Sequence, residues 1–260
     1  MRPRKFLSFF AFWKIKGKKY IVLALIILFL IAAYFYILKD IPSTATIGST
    51  SYPQSTKISD RDGKLLYTIY TSRNQTYVPS KQVPNYVKNA TIALEDKDFY
   101  KHGAIDIRGI TRAFISTVFR REVQGGSTIT QQLVKNSLLT PERTISRKIK
   151  EIFLATIVES VYSKDKILEM YLNQVPYGGT AYGVEAASQV YFGKPVEKLT
   201  LSESAFLAAL PEAPSVYSPF GSRPELGKAR QLEALRKMRE QGYITNEEEH
   251  EAATLELKFS

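Results

Sequence analysis

From Tyr20 to Leu38 the chain runs for 19 residues without a charge. At about 1.5 Å rise per residue, a helix of that length just crosses a hydrocarbon core of about 30 Å. Seven basic residues and no acid precede it: Arg2, Arg4, Lys5, Lys14, Lys16, Lys18 and Lys19. Positive flanks stay inside, so this pattern predicts a cytoplasmic tail over 1–19, a transmembrane helix over 20–38 and an extracytoplasmic remainder. A cleaved signal peptide is the competing reading. Its apolar core would be shorter, about 7–15 residues, with small residues at the cleavage point. Here Ala32-Ala33 is followed by Tyr34-Phe35-Tyr36, which suits an interfacial aromatic belt better than a cleavage site.

The anchor also accounts for most of the charge. The formal net charge is +11, and setting the seven N-terminal cations aside leaves 29 basic against 25 acidic residues, a net +4. So mild a balance gives no argument for nucleic acid. With no cysteine, disulfides, thiol nucleophiles and cysteine metal sites are excluded, and two histidines are too few for a histidine cage. Residues 39–57, rich in Ser and Thr with Pro42 and Pro53, read as a tether. Asp62-Gly63 reads as a turn into a single strand over 64–70, and no further strand is evident. From Asn85 the pattern is helical. Thr200 with Glu203 and Thr245 with Glu248 are capping boxes, Pro224 opens a helix, and Gly242 is placed to end it. The remainder, 58–260, therefore reads as one mostly α domain.

Two strings carry the chemistry. Glu95-Asp96-Lys97-Asp98-Phe99-Tyr100-Lys101-His102 follows an apolar helical run, and 31 residues after Glu95 comes Gly126-Ser127-Thr128-Ile129-Thr130-Gln131-Gln132, leading to Lys135-Asn136. A carboxylate at the edge of an apolar wall has its pKa raised by desolvation, which suits a general base; a solvated helix end is the plainer reading. Thr128, Gln131 and Lys135 share a helix face behind a glycine turn, where amides and hydroxyls can hold an anion or simply face solvent. Arg143, Arg147, Lys148, Lys150 and Glu151 follow. Lys148 and Arg147 each fall within one turn of Glu151, as surface ion pairs commonly do. Between the two strings, Ala113 to Phe119 with Arg120-Arg121 combines apolar bulk with a basic pair, which fits a membrane-dipping segment or a buried helix.

In order and spacing these strings resemble the motifs of the peptidoglycan glycosyltransferases, the family that polymerises lipid II. That family occurs as monofunctional enzymes and as the N-terminal module of class A penicillin-binding proteins. The resemblance implies a lysozyme-like, mostly α domain on a single transmembrane helix. It also implies a reaction that joins a lipid-linked growing glycan to the 4-hydroxyl of lipid II. By resemblance, Glu95 is the general base, and Glu151 is a second carboxylate that positions a cation or aids departure of the leaving group. Asp96, Ser127, Thr128, Gln131, Gln132, Lys135 and Asn136 line the substrate cleft. Arg143, Lys148 and Lys150 stabilise the leaving pyrophosphate, while Phe99 and His102 brace the first motif. Glu169 and Asn173, one turn apart before Gly178-Gly179, are read as scaffold. Pro214 to Pro219 and Arg230 echo the C-terminal motif. Segment 105–124 is expected to touch the bilayer.

The chain departs from the family pattern at Ala104, where glycine is usual, and at Arg230-Gln231, where arginines are often paired. No organic cofactor is implied. The resemblance allows magnesium or manganese at the pyrophosphate, although the sequence holds no dedicated metal site. Expected partners are lipid II, the lipid-linked glycan, the membrane, and proteins of cell-wall synthesis or division. A lytic hydrolase, which would not need the 143–150 cations, and a non-catalytic lipid II-binding scaffold are the rival readings. Ser163 and Lys166 fit a Ser-x-x-Lys pattern, but no Lys-Thr-Gly accompanies it.

Overall fold

A computed structural model describes residues 19–28, 31, 34–35, 39, 41–44, 47, 54–62, 65–107, 109–111, 126–142 and 144–260. The basic tail, most of the 105–124 segment and Arg143 lie outside these residues. The described part of the 20–38 run is helical with exposed apolar side chains, Ile21, Leu25 and Leu28 among them. Among the described residues no helix is long and apolar enough to cross a membrane.

The domain is mostly helical, as its periodicity predicts. A hairpin of β1 (Thr56–Ser59) and β2 (Leu65–Ile69) leads to β3 (Asn74–Gln75) and then to helices α1 (Asn85–Glu95), α2 (Ile129–Leu138), α3 (Ile145–Val161) and α4 (Lys164–Gln174). After α4 come β4 (Pro176–Gly178), β5 (Ala181–Tyr182), α5 (Val184–Phe192), α6 (Leu201–Ala209), the short α7 (Pro214–Tyr217), α8 (Pro224–Glu240) and α9 (Asn246–Thr254). Strands β1 and β2 pair antiparallel; β5 lies between a parallel β3 and an antiparallel β4. The sequence reading expects one strand only. The others escape it because β1 is exposed at every position, and β3, β4 and β5 are too short to show an alternation.

The tether is also less free than its composition suggests. Ile47 is buried in the main core, Ile41 packs against it, and Gln174 Nε2 donates to the Ile47 carbonyl at 3.0 Å. Two apolar residues in a polar stretch suffice to tie it down.

Two cores hold the helices. The larger is built by α2, α3, α4 and α5 around Leu133, Leu154, Tyr171 and Leu172. The smaller is rich in alanine, with Ala90, Ala93, Ala205, Ala208, Ala209 and Ala234 joining α1, α6 and α8. Such short side chains let these helices approach closely. Gln231 is fully buried there, and its Nε2 donates to the Ser202 carbonyl (2.8 Å) and hydroxyl (2.7 Å), stapling α8 to α6. A second arginine at this position would bury a charge, which explains the departure from the paired pattern. Gly227 is required where α8 crosses α7: a Cβ would stand 2.3 Å from the Tyr217 carbonyl oxygen. That close crossing brings Arg230, almost one turn later, beside Glu212. Both predicted capping boxes form, and Gly242, at φ +76°, ends α8.

Candidate active site

Helix α1 delivers Glu95 as its last residue, and the next residue fastens that end to α2. Asp96 is buried. Its Oδ1 lies 2.6 Å from His102 Nε2, and its Oδ2 accepts from the Ile129 backbone N–H at 3.1 Å. His102 Nδ1 donates to the Gly103 carbonyl at 2.6 Å. Burial opposes a charged imidazole, but the hydrogen bonds to Gly103 and Asp96 outweigh it and raise the His102 pKa. Burial likewise pushes the Asp96 carboxyl up, against the bonds from His102 and Ile129. Phe99 is fully buried with Lys164 Nζ 4.5 Å from its ring centre. Asp96, Phe99 and His102 thus form a brace. For Asp96 this narrows the expected substrate-binding role, since both oxygens are engaged within the protein.

Helix α2 is capped by Thr128, whose Oγ1 accepts from Gln131 N at 3.2 Å and donates to the Ala104 carbonyl at 3.1 Å. Gln131 Nε2 reaches the same carbonyl at 2.8 Å. The turn at Ala104 therefore keeps its fold without the usual glycine.

One turn along α2, Gln132 meets the carboxylate. Its Nε2 donates to Glu95 Oε2 at 2.7 Å, while its Oε1 accepts from the buried Tyr171 hydroxyl at 3.2 Å. Tyr171 fixes which end of the amide faces Glu95. Burial and nearby carboxylates hold the Tyr171 pKa far above its ordinary value, so it stays a donor. Glu95 Oε1 is shielded from water and has no hydrogen-bond partner among the described residues. Burial raises the Glu95 pKa. The Gln132 hydrogen bond opposes this, Glu212 adds to it, and Arg230 and Lys237 pull it down.

Glu151 sits on α3 in a different setting. It is 1% exposed, its Oε2 accepts from Arg147 Nη1 at 3.0 Å, and its Oε1 holds Lys148 Nζ. Lys148 Nζ also donates to Ser127 Oγ and Gln131 Oε1, each at 3.0 Å. With three acceptors around it, the ammonium is set beside the glycine turn. Glu151 is a holder of cations, which agrees with the positioning half of its expected role.

A cleft of about 880 Å³ separates the ends of α1 and α2 from α8. Of the expected residues, Glu95, Asp96, Ser127, Thr128, Gln132 and Lys135 line it. Lys135 is exposed and forms no hydrogen bond or ion pair with the described residues, so its charge is available to a ligand. Gln131 is buried behind the lining, and Asn136 is half-buried outside it. Lys150 does not reach the cleft; its Nζ donates to the Lys39 carbonyl at 3.0 Å. Two residues along a helix is a turn of roughly 200°, so Lys150 faces away from Lys148. Arg143 lies outside the described residues.

The far wall is what sequence reasoning missed. Glu212, Glu233, Arg236, Lys237, Glu240 and Gln241 line the cleft together with Arg230. Glu233, Arg236, Lys237 and Glu240 are spaced on α8 as a solvated face of ion pairs would be, and only the packing of α8 on α1 turns that face towards Glu95. Glu169 and Asn173 are scaffold, as expected. Glu169 accepts from Tyr77 hydroxyl and Ser80 N, both at 2.7 Å. Asn173 pairs with both backbone groups of Val78 at 2.8 Å.

Asp96, His102 and Asp106 bring one potential metal-ligand atom each within 4.8 Å of one another. The bonds that join Asp96, His102, Gly103 and Ile129 already use the donor atoms of the first two. This set does not fit a resident metal, and no step is routed through one.

Comparison with known proteins gives the family. Residues 62–239 match the family model described as Transglycosylase. The chain is 47% identical over 241 residues to penicillin-binding protein 1A of Aquifex aeolicus, covering 91% of this chain and 32% of that protein. It is 47% identical over 195 residues to penicillin-binding protein 1F of Bacillus subtilis, covering 75% and 27%. Against penicillin-binding protein 1A of Escherichia coli it is 44% identical over 216 residues, covering 83% and 25%. The crystal structure of penicillin-binding protein 1A from Haemophilus influenzae aligns with a TM-score of 0.45 at 25% identity, covering 80% of this chain and 21% of that one. The chain thus spans about a third or less of the length of these relatives. With well over half of its own length matched by the family model, the chain belongs to the transglycosylase family.

Proposed function

We propose that the chain is a peptidoglycan glycan-strand polymerase with a lysozyme-like helical fold. In this reading Glu95 takes the proton from the 4-hydroxyl of lipid II. That oxygen attacks the anomeric carbon of the lipid-linked growing strand, and the bond from that carbon to the pyrophosphate breaks. The polyprenyl pyrophosphate leaves with the electron pair. Attack from the opposite face inverts the centre and gives a β-1,4 link, as in inverting hydrolysis with the hydroxyl in place of water. The observation that supports it best is Glu95 Oε1, without a hydrogen-bond partner among the described residues, in a cleft that also presents Lys135, a cation that pairs with none of them. A rotation of the carboxylate that opens this oxygen to the cleft lets the substrate hydroxyl supply the missing partner.

Lys135, and Lys148 set beside Ser127, stabilise the charge that develops on the leaving group. Arg143 joins them by resemblance. A divalent cation, magnesium or manganese, arrives on the pyrophosphate as part of the substrate. In this reading the apolar run 20–38 anchors the chain with its N-terminus in the cytoplasm, which sets the cleft beside substrates that carry polyprenyl tails. Proteins of cell-wall synthesis or division are the expected company.

Incubating the detergent-solubilised chain with labelled lipid II tests this. Lysozyme-sensitive polymer is the expected product. Cleavage of preformed glycan without polymer would establish the hydrolase instead, and binding of lipid II with neither reaction would leave a scaffold.

A further inference from the structure

The cleft contains a juxtaposition that ordinary electrostatics would not leave standing. Glu95 Oε1 has no hydrogen-bond partner among the described residues, yet Arg230 lines the same cleft. A guanidinium free to turn closes on a bare carboxylate oxygen, because such charge-assisted pairs are strong. Arg230 is not free. Its Nη2 lies 2.6 Å from Glu212 Oε2 and its Nη1 lies 2.6 Å from Glu233 Oε2. Tyr217 covers it, with the guanidinium carbon 5.9 Å from the ring centre.

The two restraints differ in kind. Glu233 sits three residues along α8 from Arg230 and shares itself with Lys237 Nζ at 3.0 Å, an ordinary pairing on one helix face. Glu212 comes from a separate element, the turn between α6 and α7, and reaches Arg230 from outside α8.

We propose that Glu212 is a positioning residue that holds Arg230 away from Glu95 and so keeps the base free. The inference rests on Glu95 being the base. It resolves a conflict built into the reaction, which needs cations for the leaving group and a carboxylate unclaimed by any of them. Several groups face Glu95. They are Asp96 beside it, Gln132 and Lys135 from α2, Tyr171 from α4, Tyr177 from β4, Glu212 from its turn, and Arg230, Glu233 and Lys237 from α8. Among these cations, Lys237 is tied to Glu233 and Lys135 is exposed, so the half-buried Arg230 is the one whose restraint matters.

The test is a direct titration of Glu95 in the full chain in detergent, by NMR of ¹³C-labelled glutamate carboxyls. The signal is assigned by its absence from Glu95→Gln. In Glu212→Gln the titration is expected to fall by about one to three pH units as Arg230 closes on Oε1. Adding Arg230→Gln should reverse most of that fall, whereas Arg230→Gln in the wild-type background should move it much less. This non-additivity is the signature, because loss of the Glu212 charge alone would act equally with or without Arg230. An unmoved titration in Glu212→Gln, or equal shifts in both backgrounds, would overturn the proposal. Should Glu212→Gln fail to fold, Glu212→Asp keeps the charge but shortens the arm and decides the matter: a downward shift supports the restraint, and no shift rejects it. Rates follow the same order, with turnover of Glu212→Gln falling about tenfold at unchanged KM and its acid limb moving to lower pH. The titration does not depend on turnover. An inactive protein that shows the expected shifts would therefore count against the base and leave the restraint standing.

Discussion

Glu95 and Glu151 are both glutamates on core helices, the first half-buried and the second buried, and the sequence reading assigns catalysis to both. Their surroundings separate them. Glu151 has each oxygen on a cation, Arg147 on one and Lys148 on the other. Glu95 has one oxygen on a neutral amide and the other without a partner among the described residues. The first environment pairs the carboxylate with two cations and so holds a lysine in place. The second makes ionisation costly, so the carboxylate gains most by taking a proton. Environment, not residue type, divides the roles.

Substitution should therefore act on the two in opposite ways. The largest effect expected is on Glu95→Gln, which should lose about 10²- to 10⁴-fold in polymerisation rate, the usual share of a general base. Its stability should not fall. A carboxyl whose folded pKa is raised binds its proton more tightly in the folded state, so stability drops as the pH rises from the unfolded value through the raised one. Above that window the ionised group costs stability, and glutamine escapes the cost. A urea midpoint for Glu95→Gln well below wild type at pH 7 would erase the contrast. In the wild type the same shift makes the rate fall as the pH drops through the raised Glu95 pKa, from above the ordinary carboxylate range.

Next in size is Lys135→Ala. It removes a charge with no internal partner, and should raise the KM for the lipid-linked donor by about 10- to 150-fold, the ratio given by 1.5–3 kcal/mol of charged hydrogen bonding. Glu151→Gln should lower unfolding stability by about 1–3 kcal/mol in urea. That is less than for a fully buried pair, because the freed Lys148 is partly exposed and can rehydrate. The smallest effect is expected at Tyr171→Phe. It leaves Gln132 Oε1 without its donor, and should cost about 0.5–1.5 kcal/mol together with a severalfold fall in rate.

Much of this was legible in the chain. Capping boxes, Pro224 and Gly242 announced helix ends because those signals are local. The two strings around Glu95 and Gln132 marked the site through their unusual order of polar residues. What sequence could not supply was direction. It grouped Lys148 with Lys150, which the helix turns apart. It read Asp96 as a substrate-binding residue; Asp96 does line the cleft, but its two oxygens are engaged by His102 and the Ile129 N–H. It marked Pro224 and Arg230 on α8 but not which way the charges of that helix face, because nothing in the spacing of Arg230, Glu233 and Lys237 records that alanines on the other side press it against α1. The expected tether hid Ile47 for a similar reason, since one buried apolar residue leaves no period.

The division of roles is tested most directly by the initial rate of polymer formation from labelled lipid II with Glu95→Gln and Glu151→Gln side by side, both verified as folded. Glu95→Gln should be inactive, while Glu151→Gln retains measurable rate in keeping with a displaced Lys148. Near wild-type polymerisation by Glu95→Gln, or a deeper loss in Glu151→Gln than in Glu95→Gln, would contradict it.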